Sequence, residues 1–136
     1  MISPTGKGVR GIDKWGSGAF HSSRGKGKTH KGLDFIADPG QDVVAPCAGR
    51  VRREAQVYAD TTEYMGLVIV SDDLHHVKLF YVLPAPGVVG TLVDEGEVIG
   101  TVQDLDRRYP GITPHVHMEV RCSTGEIVDP GTLIKA

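Results

Sequence analysis

Glycine and proline divide the apolar residues of this chain into short runs, and this division constrains the fold more than any other feature. The 136 residues include 18 glycines and 8 prolines. The runs of valine, leucine and isoleucine between them have the length of strands rather than helices. We therefore predict an all-β fold with little helix, arranged as a sandwich or an open, folded antiparallel sheet in a single domain over residues 1–136.

The same runs give the approximate boundaries of the elements. Residues 1–29 lack periodicity and are expected to form a glycine-rich loop that wraps the domain or lines one wall of a site, before a β core at 30–136. The predicted elements of that core are two strand segments within 42–57, a buried strand at 66–71, a hairpin tip at 72–76, a return strand at 77–83, short strands around a turn at Glu95–Gly96, a long loop at 104–114, a strand at 115–121 and a closing segment at 128–134.

The predicted strand "HVHMEVR" alternates polar and apolar side chains. Because successive side chains of a strand point to opposite faces, His115 and His117 share a polar face with Glu119 and Arg121. The core face carries Val116, Met118 and Val120. Two neutral imidazoles in this spacing form a common half-site for a transition metal such as zinc. A pair of hydrogen-bonded surface histidines is the alternative interpretation.

A second segment, "HKGLD", supplies further ligand types. His30 and Asp34 flank Gly32, which disfavours a regular helix and favours a tight bend into a strand. Asp34 precedes an apolar segment, where a carboxylate needs a partner. Two histidines and this aspartate would give three ligands with a fourth tetrahedral position open, as in catalytic zinc sites. The remaining histidine of the H-x-H pair would then be free to act as a base or proton donor.

Charge and composition argue against several other functions. The net charge of −2 is atypical of a nucleic-acid binder. The basic segment 21–31 is interpreted as a solvated loop, with contact to an anionic polymer as the alternative. Cys47 and Cys122 form no C-x-x-C pair, which excludes a cysteine zinc knuckle. We predict two free thiols, and a disulfide between them stays open.

No apolar run has the length of a membrane span, so we expect none. Residues 1–15 lack an apolar stretch, so we expect no classical signal peptide. The sequence assigns no location, and association with a virion or release by a non-classical route are the alternatives it leaves.

The two histidine segments resemble the signature of the lysostaphin-type zinc metallopeptidases, which cut peptide cross-links in bacterial peptidoglycan. Further resemblances are "DPGQDVVAPCAGRV", "VDEGEVIGTV" and "VDP" near the end, so that most of the chain is covered. The resemblance implies the duplicated hybrid motif fold, a β-sheet groove with one zinc ion on its floor. It implies His30, Asp34 and His117 as zinc ligands and His115 as a catalytic histidine.

The sequence departs from this family at one position. The family carries a further histidine in a Y-x-H-L segment, and the matching residues here are Phe80, Tyr81, Val82 and Leu83. Val82 takes the place of the histidine, and the resemblance places its side chain toward the groove. Valine can neither donate a hydrogen bond nor carry a proton, and one lost donor typically costs about 10²–10³ in rate. His75 and His76 lie at the predicted hairpin tip, where we do not expect them to reach the metal.

A second resemblance is to vertebrate secreted proteins of the leukocyte cell-derived chemotaxin type, which share the stretch like "YPGITPHVH" and also lack that histidine. They imply a binding protein that keeps zinc without peptidase activity. Few cysteines and no signal favour a microbial or phage-encoded relative, which could belong to a larger assembly such as a virion.

Two functions therefore stay open. One is a zinc-stapled binding or structural module, weak or inactive as an enzyme, with peptidoglycan or another cell-surface ligand as its partner; Val82 favours it. The other is an active zinc endopeptidase of peptidoglycan, which the retained His115 favours. His115 could instead be the fourth ligand of a closed metal site, and this alternative also stays open.

Overall fold

The computed structural model describes residues 1–25 and 27–135. Lys26 of the basic segment and Ala136 at the end of the predicted domain lie outside the described residues. The strands are β1 (Ile12–Asp13), β2 (Gly16–Ser17), β3 (Leu33–Ile36), β4 (Asp42–Val44), β5 (Gly49–Tyr58), β6 (Thr61–Ser71), β7 (His76–Phe80), β8 (Val82–Pro84), β9 (Leu92–Val93), β10 (Val98–Val102), β11 (His115–Arg121) and β12 (Ile127–Val128). One turn of 3₁₀ helix follows at Pro130–Thr132.

Two sheets carry most of these strands. A seven-stranded antiparallel sheet has the order β12-β11-β7-β6-β5-β9, with β3 also paired to β11. A three-stranded antiparallel sheet has the order β4-β10-β8. The described N-terminal residues add a two-stranded hairpin of β1 and β2. The predicted all-β, antiparallel fold is thus confirmed.

One hydrophobic cluster joins the two sheets. Leu67, Ile69 and Leu79 of the large sheet and Ile99 of the small sheet are fully buried in it. The single domain stays a prediction. Both cysteines are free thiols, Cys47 buried and Cys122 half-buried.

The alternation of β11 is confirmed along its whole length. The strand runs from His115 to Arg121 as predicted, and its three apolar side chains are fully buried. By contrast, β6 begins at Thr61 rather than residue 66. Its first three residues are polar and mostly exposed, and they are held in the strand by long pairing with β5, which hydrophobic periodicity does not reveal.

The return strand predicted at 77–83 is wrong as a single element. β7 ends at Phe80 in the large sheet, and β8 begins at Val82 in the small sheet. Tyr81 between them has a φ of 71°, a left-handed conformation that redirects the chain from one sheet to the other. Val82 consequently lies in the core with no exposed surface, and its predicted orientation toward the groove is also wrong.

None of the helical segments in residues 1–25 and 27–135 has the length and apolar character needed to cross a membrane.

Candidate metal centre

The antiparallel pairing of β3 with β11 brings the two histidine segments together. Its register sets Asp34 opposite His117. Gly32 forms a bend just before β3, where an added Cβ atom would lie 2.4 Å from the carbonyl oxygen of Met118 and 2.7 Å from the ring of His117. A larger residue would push the two segments apart, so this glycine permits the close approach.

Three candidate ligand atoms converge at this pairing. His30 Nε2 lies 3.1 Å from Asp34 Oδ1 and 3.0 Å from His117 Nδ1. His117 Nδ1 lies 3.0 Å from the same carboxylate oxygen. The three residues form a group that could hold a metal ion, and two imidazole nitrogens with one carboxylate oxygen suit zinc. We call His30, Asp34 and His117 the metal trio.

The outward ring nitrogens of both trio histidines face acceptors. His30 Nδ1 lies 3.0 Å from the carbonyl oxygen of Ala19, which can only accept, so the proton belongs on Nδ1 and Nε2 is left as a ligand. His117 Nε2 lies 3.7 Å from Glu119 Oε1, which favours the proton on Nε2 and leaves Nδ1 free. Partners of this kind orient metal-binding histidines.

Arg10 donates hydrogen bonds to the second oxygen of the Asp34 carboxylate. Its Nε and Nη2 donate to Asp34 Oδ2 at 3.2 and 3.0 Å, and both side chains are buried. Burial by itself would raise the pKa of Asp34, but contacts with the His117 and His30 rings hold this pKa well below its ordinary value. The carboxylate is therefore charged, with Oδ1 directed at the trio.

His115 lies beside the metal trio and outside it. Its Nδ1 donates to the carbonyl oxygen of Thr113 at 2.8 Å, which leaves the lone pair on Nε2, 3.5 Å from Asp34 Oδ2. Burial lowers the pKa of His115 below its ordinary value, which favours a neutral ring. A neutral imidazole with an available nitrogen has the properties of a general base, and the catalytic role of His115 stays a prediction.

A groove of about 330 Å³ lies over the metal trio. The N-terminal segment and the 104–114 loop both contribute side chains to its lining. Phe80 of β7 stacks on the ring of His117, with 5.5 Å between ring centroids. The aromatic residues that line the groove are Trp15, Tyr58, Phe80, Tyr81 and Tyr109.

Hydrogen bonds tie the N-terminal segment to the 104–114 loop. Asp13 accepts from the backbone N–H of Thr113 at 3.0 Å and from Arg10 Nη1 at 2.9 Å. Trp15 Nε1 donates to the carbonyl oxygen of Pro110 at 3.1 Å. Arg10 therefore connects the metal trio to both walls of the groove.

Tyr81 is one of the groove residues that the sequence did not single out. Its ring meets the His115 ring edge-on, with 5.4 Å between centroids, and its hydroxyl lies 3.2 Å from the Tyr58 hydroxyl. Tyr58 is hydrogen-bonded in turn to Tyr109. Burial raises the pKa of Tyr81 to about 12, so its hydroxyl keeps its proton. No sequence signal marked this residue, because its orientation depends on the positive φ between β7 and β8.

The two histidines of the predicted hairpin tip, His75 and His76, lie away from the trio. His75 Nδ1 is 3.0 Å from Asp73 Oδ2 at the hairpin tip, and His76 begins β7 as an exposed residue. Neither belongs to the group of candidate ligand atoms that converge at the trio. Arg24 of the basic segment does line the groove, 3.9 Å from Asp34, so this part of the segment is not a freely solvated loop.

A curled β-sheet with a histidine–aspartate–histidine group on its floor defines a class of metallopeptidase-like domains. Residues 28–130 match the model of Peptidase family M23, and the chain belongs to this family.

Three known proteins illustrate the similarity. Leukocyte cell-derived chemotaxin-2 of Bos taurus is 31% identical over 111 residues, which cover 82% of this chain and 72% of that protein. Myeloid protein 1 of Gallus gallus is 32% identical over 119 residues, covering 86% of this chain but only 36% of that protein. The catalytic domain of the antimicrobial peptidase lysostaphin from Staphylococcus simulans has a TM-score of 0.63 at 23% identity, covering 89% of this chain and 91% of that domain.

Proposed function

We propose that this chain binds one zinc ion through His30, Asp34 and His117 and holds peptides of bacterial peptidoglycan in its groove, as a binding module with weak or no peptidase activity. The convergence of the three ligand atoms supports the zinc site. Membership of Peptidase family M23 supports the peptide ligand. A place in a larger assembly such as a virion stays a prediction of the sequence.

The position of Tyr81 beside His115 is the observation that supports a low peptidase activity. A histidine there could take up a proton and carry positive charge near neutral pH. Tyr81 cannot take up a proton or carry positive charge near neutral pH, because its pKa of about 12 keeps the hydroxyl neutral, and this hydroxyl is already engaged by Tyr58. The site thus has one titratable base, His115, where the lysostaphin-type signature has two histidines outside the ligand set.

The other residues of the groove have roles in binding a peptide and in any residual hydrolysis. A bound zinc ion would supply Lewis acidity. His115 Nε2 can accept a proton from an attacking water, and its bond to Thr113 fixes the ring for this purpose. The Tyr81 hydroxyl can donate to a peptide carbonyl if it rotates away from Tyr58. The aromatic walls exclude water from the bound segment.

An active endopeptidase is the second candidate function. The neutral, oriented His115 favours it, since a metal that only staples the fold does not need this residue. The Tyr81 hydroxyl would then replace the histidine as the donor to the developing negative charge.

Release of free amines from purified peptidoglycan distinguishes the two functions. We expect the zinc-loaded wild type to be slow and Tyr81→His to be faster by about 10²-fold, the worth of one positioned donor. Leu83→His is the matched control, because Leu83 is exposed outside the groove lining and a histidine there should bring no gain. Chelator should abolish any release.

Wild-type hydrolysis that Tyr81→Phe removes would instead support the endopeptidase and give the tyrosine hydroxyl a catalytic role. Absence of zinc from the purified, reloaded protein would contradict both functions.

A further inference from the structure

On the polar face of the large sheet, side chains of paired strands lie side by side in rows, and these rows continue beyond the metal trio. Phe80 and His117 are register partners in the row nearest the metal. The next row across the sheet consists of Arg53, Val68, Lys78 and Glu119. The row after it consists of Arg50, Val70, His76 and Arg121. The floor therefore changes from aromatic and metal-binding to charged within two residues along β7 and β11, and Arg121 follows two residues further along β11.

A second cleft, of about 330 Å³, lies over these rows. Three permanent cations line it, Arg53, Lys78 and Arg121, and they face a single carboxylate, that of Glu119. The turn at 122–125 forms its far edge. With one carboxylate against three cations, the cleft carries a net positive charge within a chain whose total charge is −2.

The cations in this cleft are not saturated by Glu119. Lys78 Nζ is 4.0 Å and Arg121 Nε is 3.7 Å from Glu119 Oε2, beyond hydrogen-bond distance. Glu119 is also 3.7 Å from His117, so its charge is shared with the metal trio. The Lys78 and Arg121 side chains keep 32% and 41% of their surface exposed, which leaves donors available to a ligand.

We propose that this basic cleft is a subsite for a carboxylate of the peptide held in the groove. The assignment rests on the proposed function, which places a peptide over the metal trio. Adjacent rows on one face of a sheet are roughly 7 Å apart, the span of about two residues of extended peptide. The recognised carboxylate would therefore lie about two residues from the segment that covers the trio.

The chemistry of the cleft favours a carboxylate over a phosphate. Arg121 Nη1 already donates to the carbonyl oxygen of Gly125 at 2.9 Å, but the Nε and Nη2 edge of its planar guanidinium can pair with a carboxylate through two parallel hydrogen bonds. Glu119, on the cleft floor, repels a dianion more strongly than a monoanion. A single negative charge on a flat group therefore fits the residues present.

Titration of the isotope-labelled, zinc-loaded chain by NMR tests the subsite with acetyl-Gly-Glu-Gly-amide and its glutamine counterpart. We expect the glutamate peptide to bind about tenfold more tightly, as one charge-assisted contact allows, with shifts concentrated in β7 and at 121–125. Lys78→Met and Arg121→Gln should each reduce this preference. Lys135→Met is the matched control, because Lys135 is 68% exposed and pairs with Glu95 away from the cleft.

Equal affinity for the two peptides, or an equal loss of preference in Lys135→Met, would overturn the proposal. Inorganic phosphate that displaces the glutamate peptide at a lower concentration than the peptide itself binds would overturn the assignment to a carboxylate. These readouts do not involve hydrolysis. A chain that holds zinc and cleaves peptidoglycan but shows no glutamate preference would refute the subsite alone, whereas glutamate binding by a chain that takes up no zinc would refute the proposed function alone.

Discussion

The two faces of β11 are equally well buried at several positions but are stabilised in different ways. On the core face, Met118 and its apolar neighbours on the strand have no exposed surface and belong to the hydrophobic cluster. On the polar face, His115 and Glu119 keep 4% and 8% of their surface, and their neighbours are charged or hydrogen-bonding groups. Buried apolar groups need only volume, whereas buried polar groups need particular partners.

The comparison shows that burial has different consequences on the two faces. The core face stabilises the fold whatever is bound. The polar face places Asp34 against Arg10 and leaves three ligand atoms directed at one point, so its contribution depends on each partner and, under the proposed function, on a metal ion. Substitutions on the two faces should therefore differ in how stability and zinc occupancy change together.

The largest effect is expected for Asp34→Ala, which should lose zinc and destabilise the chain even in chelator. It leaves Nε and Nη2 of the buried Arg10 guanidinium without an acceptor while Asp13 still accepts from Nη1, so the loss should be about 3 kcal/mol, the lower end for broken buried pairs. Elemental analysis and urea unfolding measure the two effects. His117→Ala is the control, because it should lose zinc while keeping the Arg10 pair. Equal stability of chelated Asp34→Ala and chelated wild type would contradict the account.

Met118→Ala should have the second largest effect, and on stability alone. The residue is fully buried in the core, and truncation of such a side chain costs about 2–5 kcal/mol. Zinc occupancy at saturating metal should stay near that of the wild type. A variant with the expected loss of stability and a parallel loss of zinc stoichiometry would show that the two faces are not independent.

His115→Ala should change stability by only about 1 kcal/mol, the worth of its bond to Thr113. It should keep zinc and lose any hydrolysis. Zinc titration by calorimetry, compared with His117→Ala, measures the difference. Equal damage to zinc affinity in the two variants would identify His115 as a fourth ligand.

The smallest effect concerns the cysteines. Burial raises the pKa of the Cys47 thiol to about 11, whereas hydrogen bonding by Thr124 lowers the pKa of Cys122 beside the basic cleft. A thiol reagent at pH 8 should therefore modify Cys122 and spare Cys47 in the folded chain. Mass spectrometry of tryptic peptides measures the modification, and unfolding in urea should make both react. Preferential labelling of Cys47 would contradict the burial of this residue.

Regular alternation made β11 and the metal trio predictable from the sequence. The two faces of a strand follow from its period, and Gly32 marks the bend that brings His30 and Asp34 to β11. The ligand assignment also drew on a family signature, since spacing alone did not distinguish His115 from His117.

The β7–β8 break was not predictable in the same way. A single residue in the left-handed conformation separates the end of one strand from the start of another in a different sheet. The sequence does not indicate this conformation, because tyrosine rarely adopts it. Extending one strand by its period through the break predicted that Val82 faces the groove, whereas the structure places Tyr81 in the groove lining. Arg10 was missed because the N-terminal segment has no period, and its role arises only from contacts with residues distant in the chain.

The β3–β11 pairing also has a consequence for the order of folding. β5, β6 and β7 are joined in sequence and pair with their neighbours, so they can form early through short loop closures. Asp34 and His117 are 83 residues apart, so β3 can pair only after β11 has joined the sheet. We therefore expect the metal centre to be the last part of the sheet to assemble and the first to open, with amides of β3 exchanging with solvent before those of β6.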